Sequence, residues 1–68
     1  MKNNIRELRK ALGFRQEDIA VILGVTRQTI NAIENEKYNP TLELAMKLAK
    51  LLGTTVEELF LLESWNKR

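Results

Sequence analysis

The chain contains no cysteine and no histidine. The first absence excludes disulfides and thiolate-held metals as supports for a small core. The second removes the side chain that most often serves as a general base near neutral pH. The three glycines, Gly13, Gly24 and Gly53, stand far apart, so there is no glycine-rich loop to cradle a phosphate. No apolar run approaches the roughly 18 residues of a membrane span. The basic opening, MKNNIRELRK, leads into no apolar stretch of the kind a secretory signal needs. Adjacent carboxylates occur only at Glu17-Asp18 and Glu57-Glu58. Both pairs fall near expected helix starts, where acids answer the helix dipole. The expectation is a cytoplasmic protein that is not an enzyme, with no cofactor, metal, membrane contact or evident small-molecule ligand.

Apolar periodicity is what the chain does have. Hydrophobic residues make up 44% of 68 residues, too many for a disordered segment and enough for one small all-α domain. A unit of this size buries only about 60% of its unfolded surface. Asn4-x-x-Glu7 has the form of a capping box, and Ile5, Leu8 and Leu12 follow at helical spacing before Gly13. A second helix is expected over about 16–23, with Ile19, Ala20 and Leu23 on one face. Thr26 is placed to cap a third, over 27–35, whose apolar face is Ile30 and Ile33. Pro40 biases Asn39 away from helix. Thr41 caps a fourth helix over 42–52, ended by Gly53. Thr55-x-x-Glu58 opens a short fifth through Val56, Leu59 and Phe60. No strand-like alternation of any length is visible. Five short helices fit only a compact all-α fold, a single domain over 1–68 with its core in 4–60.

Charge alone identifies no partner. The net charge is +2, with basic residues concentrated in 1–15 and acids prevailing in 16–35. The pattern from Gln16 to Asn35 says more. Two short helices joined by a tight turn at Gly24, with small Ala20 and the apolar wedge Val25, Ile30 and Ile33, have helix-turn-helix geometry. With Ile30 and Ile33 inward, a rotation of about 100° per residue places Gln28, Asn31, Ala32 and Asn35 outward, with Arg27 and Thr29 on the flanks. That face is nearly uncharged and rich in amides. Arginine pairs with guanine and glutamine or asparagine with adenine, whereas a surface tuned only for solubility carries more Lys and Glu.

These residues resemble the Cro- and lambda-repressor-like family, the xenobiotic-response-element type, and especially its minimal members with a TRQTINAIE-x(4)-NPT stretch. The resemblance spans roughly residues 4–60. It implies a five-helix fold with the third helix in the major groove of DNA and the second across the backbone. By position it implies base reading by Arg27, Gln28, Asn31 and Ala32. Backbone contacts are implied for Gln16, Thr26, Asn35 and Lys37, with Tyr38 and Asn39 beside them; apart from the resemblance, Thr29 on the helix flank and the Arg15 cation are further candidates for the backbone. Arg9 and Glu34 match a pair that ties the first helix to the third. Two positions depart from the family pattern. Arg15 stands where a capping Thr or Ser is usual, and Glu36 where glycine commonly follows the recognition helix.

The function expected is sequence-specific binding of double-stranded DNA by a homodimeric transcriptional regulator, a repressor on two-fold-related half-sites. Two rivals are an antitoxin with a toxin partner and a helical protein-interaction module that binds no nucleic acid. Dimerisation is expected through Leu61, Leu62 and Trp65, large apolar residues in excess of what the core can cover. The LFLLES stretch is also a candidate extended segment, pairing with a second copy or with Met1–Asn4.

Overall fold

The computed structural model describes residues 1–62. In chain order its elements are β1 (Lys2–Asn3), α1 (Ile5–Ala11), α2 (Gln16–Leu23), α3 (Arg27–Glu34), α4 (Leu42–Leu51), α5 (Val56–Leu59) and β2 (Phe60–Leu61). Every helix sends a large side chain into one core. Ile5, Ile19, Ile30, Ile33, Leu48 and Leu59 are fully buried, and Ala20, Ala45 and Ala49 let the helices close around them. α2 and α3 touch each other more extensively than any other pair of elements. Small Ala20 of α2 is almost wholly buried in the common core.

The helix starts follow from threonines. The hydroxyls of Thr26, Thr41 and Thr55 accept the N–H groups of Thr29, Leu44 and Glu58 at 3.2, 3.2 and 3.1 Å. Each cap contributes about 1 kcal/mol relative to alanine. α2 starts differently because Arg15 has no side-chain acceptor. The Asp18 carboxylate instead accepts the Arg15 N–H at 2.8 Å, which is half of a capping box.

At α1 the expected Asn4-x-x-Glu7 box does not form. The Asn4 side chain donates to the Glu58 carbonyl at 3.2 Å, and Asn3 Oδ1 accepts the Ile5 N–H at 3.1 Å. The cause is tertiary. Asn4 N–H is held by the Leu59 carbonyl at 3.0 Å, and its φ of −110° and ψ of 22° lie outside the extended region a cap uses.

That bond continues a small antiparallel ladder in which Lys2 faces Leu61 and Asn3 faces Phe60. Helix five accordingly stops at Leu59, and Phe60 and Leu61 of the LFLLES stretch are extended against the N-terminal residues of their own chain. Two-residue strands are too short to show an alternating pattern in the sequence, and the pairing seen is the one with Met1–Asn4, one of the two expected for the LFLLES stretch.

Turn geometry completes the frame. After α2 the chain reverses over Gly24 at φ 72°, with Val25 N–H bonded to the Ala20 carbonyl at 3.0 Å. That is the closure glycine favours. α3 closes the same way, with Lys37 N–H on the Ala32 carbonyl at 2.9 Å and Glu36 N–H on that of Ile33 at 3.1 Å. Here the left-handed residue is Glu36, at φ 64°.

Candidate nucleic-acid interface

α3 divides cleanly into two faces. Ile30, Ile33 and Glu34 point inward, while Arg27, Gln28, Asn31 and Asn35 are exposed. Arg27, Gln28 and Asn31 line one shallow concavity. Ala32 and Thr29 are half-buried on the flanks of this stripe, so Ala32 is less outward than helical rotation alone predicts. Thr26 and Thr29 share their hydroxyls at 3.0 Å at the head of the helix. A second concavity, lined by Arg9, Arg15, Gln16, Glu17 and Arg27, lies where α2 begins beside the front of α3. Its lining carries the Gln16 amide, one carboxylate in Glu17 and three guanidinium groups, of which Arg9 is neutralised by Glu34 and Arg27 lies toward the front of α3.

Arg15 is partly neutralised there. Its guanidinium lies 3.2 Å from Asp18 and 3.5 Å from Glu17. The hydrogen bond from Arg15 holds the Asp18 carboxyl below its usual range, and the same bond raises Arg15. Beyond α3, Lys37, Tyr38 and Asn39 are all exposed, and Asn39 Oδ1 accepts the N-terminal ammonium of Met1 at 3.1 Å.

Behind the exposed stripe sits a buried carboxylate. The Glu34 side chain is fully shielded and takes a two-pronged contact from Arg9, Nε to Oε2 at 2.7 Å and an NH2 group to Oε1 at 3.2 Å. Arg9 spends its remaining nitrogen on the Phe14 carbonyl at 3.0 Å. Oε1 of Glu34 also accepts from Gln16 at 3.1 Å and from Arg6 Nε at 3.4 Å. Burial pushes the Glu34 carboxyl up. The hydrogen bonds from Arg9 and Gln16, with the Arg9 charge and the Arg6 bond, more than offset it, and the group is held below the usual carboxylate range.

The network runs on to the surface. The Gln16 oxygen accepts from Asn31 at 3.4 Å, Asn31 oxygen from Asn35 at 3.1 Å, and Asn35 oxygen from Arg6 at 2.9 Å. Sequence reasoning did not single out Arg6. Its only signal is its place three residues before Arg9, which puts both arginines on one face of α1.

Of the expected dimer residues, Leu61 is half-buried in β2 and Leu62 is 63% exposed. With Met1, Val56 and Phe60 they line a mostly apolar depression. Trp65 lies outside the described residues. Among the described residues no helix is long and apolar enough to cross a membrane, and no side-chain cluster is placed to hold a metal ion.

Two tightly joined helices, an outward amide stripe and an arginine-lined shoulder are the arrangement the sequence resemblance implies. A helix-turn-helix family model, of the Cro/C1-like kind, matches residues 5–59. The chain belongs to that helix-turn-helix family of transcriptional regulators.

The helix-turn-helix regulator MJ0272 of Methanocaldococcus jannaschii is 49% identical over 63 residues, spanning 93% of this chain and 96% of its own. RstR of Vibrio cholerae, named as a cryptic phage CTXphi transcriptional repressor, is 39% identical over 57 residues, 84% of this chain and 51% of RstR. Among solved structures, the restriction-modification controller protein C.AhdI of Aeromonas hydrophila superposes with a TM-score of 0.74 at 38% identity. The alignment covers 82% of this chain and 85% of C.AhdI. The helix-turn-helix family and the five-helix fold both match the sequence reading.

Proposed function

We propose that this helix-turn-helix regulator is a homodimeric repressor that reads a two-fold-related operator with α3 in the major groove. The observation that carries the reading is the exposed stripe of Arg27, Gln28 and Asn31, flanked by Gln16 and backed by a rigid ion pair. Arg27 and Gln28 at the front of the helix, with Asn31 and Ala32 behind them, read base edges. Arg15, Gln16, Thr26, Thr29, Asn35, Lys37, Tyr38 and Asn39 border the stripe and meet the phosphates. One such helix spans only a half-site, so a two-fold dimer supplies the second about one DNA turn away. Exposed Leu62 and Met1 beside half-buried Leu61 and Val56 and buried Phe60 offer the apolar surface for it, with Trp65 as a further candidate. Repression is the simplest outcome of occupancy by so small a domain, and RstR is a repressor by name.

The test is a site selected from random DNA, then binding of variants to every single-base change in it. Arg27→Ala and Gln28→Ala each flatten preference at a position of their own, at a loss of about 1–3 kcal/mol. Lys37→Ala weakens all sequences alike and reduces the salt slope by about one contact. Unchanged preference profiles in both α3 variants would remove the groove assignment. A wild type showing no salt-dependent retention on DNA would make the chain a protein-interaction module.

A further inference from the structure

The hydrogen bonds around the recognition helix form a closed circuit whose direction is dictated by its two ends. Arg6 can only donate, and the Glu34 carboxylate can only accept. Three amides lie between them. Arg6 donates to Asn35 Oδ1, Asn35 Nδ2 to Asn31 Oδ1, Asn31 Nδ2 to Gln16 Oε1, and Gln16 Nε2 to Glu34. The Arg6 Nε contact with Glu34 closes the loop. Turning any one amide over would set N–H against N–H on one side and oxygen against oxygen on the other. Each amide therefore has one permitted orientation, and each keeps one N–H and one lone pair for a ligand.

We infer that Arg6, on a helix outside the helix-turn-helix pair, is a specificity-determining positioning residue. It closes the donor end of the circuit, and together with Glu34 at the acceptor end it holds the Asn31 amide in one polarity and so fixes which base edge Asn31 reads. An oriented donor beside an oriented acceptor matches the N7 and N6 edge of adenine. A freely turning amide accepts other pairings at no cost. Gln28 takes no part in the circuit, so its selectivity does not depend on Arg6. The Arg9–Glu34 bridge anchors the acceptor end, and Arg6 anchors the donor end. This inference rests on the DNA-reading function proposed above.

Two variants test it. Arg6→Lys keeps the positive charge but loses the fork that reaches Asn35 and Glu34 together, and Arg6→Met loses both. The first readout is the side-chain amide resonances of Asn31, Asn35 and Gln16 in the free protein, with backbone resonances reporting that the fold is intact. The second is the single-base preference profile, in which Asn31→Ala marks the position Asn31 reads. Both Arg6 variants are expected to loosen the three amides. Both should also cut the preference for adenine at that position about tenfold, within the range of one bidentate base contact, while the Gln28 position keeps its preference. Amides as ordered as in the wild type, or an equal loss at every position, would overturn the inference and leave Arg6 an ordinary cation. Loosened amides in a protein whose wild type prefers no base would uphold the circuit and sink the DNA reading instead.

Discussion

Glu36 is the residue whose replacement is expected to stabilise the protein most simply. It closes α3 at φ 64°, in the left-handed region where a Cβ costs roughly 1–2 kcal/mol. Gly24 makes the equivalent closure after α2 at φ 72° without that cost. Glycine in place of Glu36 removes the steric penalty but releases more backbone entropy in the unfolded chain, about 0.4–1 kcal/mol. Stability should therefore rise by about 1 kcal/mol, which for a domain of this size moves Tm by roughly 4–8 °C. The carboxylate also sits at the negative end of the α3 dipole, so part of any gain could come from charge alone. Glu36→Gln separates the two, because it removes the charge and keeps the Cβ. Urea unfolding of the three proteins at neutral pH measures the difference. The reasoning requires Glu36→Gly to exceed Glu36→Gln by most of the gain. A glycine variant no more stable than the glutamine variant would show that the left-handed conformation carries no strain.

Other expectations follow from the same packing. In a double-mutant cycle on Arg9 and Glu34, each single change should cost about 3–5 kcal/mol, since it strands a buried charge, and coupling near zero would contradict the shielded geometry. Glu34 is held below its unfolded pKa of about 4.3, so its contribution is complete above that pH and is lost as pH falls through the folded value. The stability gap between wild type and Glu34→Gln should accordingly narrow below about pH 4, and a constant gap would remove Glu34 as the titrating group. Sedimentation at tens of micromolar should find a dimer that Leu62→Asp dissociates; a monomeric wild type would end the proposal that the apolar depression is a dimer surface.

Much of the fold was legible because it rests on local rules. Thr26, Thr41 and Thr55 announce helix starts through chemistry confined to a few residues. Ile30 and Ile33, or Leu48 and Ala49, declare an inward face by spacing alone. What escaped the sequence depends on contacts between distant segments. Asn4 has the composition of a cap, yet pairing of the N-terminal residues with Phe60 and Leu61 turns its side chain toward Glu58. Leu59 and Phe60 both read as helical and also fall in the candidate extended stretch; the ladder with Lys2 and Asn3 decides between the two by leaving Leu59 helical and Phe60 extended. Ala32 falls outward on a helical wheel, yet in the fold it is half-buried. Glu36 was visible as a departure from the family pattern, but only the backbone shows that it keeps the glycine conformation.

The candidate interface divides along the same line. Arg27, Gln28 and Asn31 are found by rotation about one helix axis. Glu34 continues the inward series of Ile30 and Ile33, so by spacing it is a core position and by chemistry an unlikely one. In a domain this small a buried ion pair is a poor source of stability, because well-packed apolar residues of similar volume do as well or better. Its value must then lie in direction. A hydrophobic pair at positions 9 and 34 would hold α1 against α3 equally well, but it would offer Gln16 nothing to donate to. Without that acceptor Gln16 would be free to turn, and the order of donors and acceptors on the outward stripe would hang on Arg6 alone. The charge buried behind the helix thus bears on the neutral groups in front of it, which links a costly feature of the core to the reading proposed for the surface.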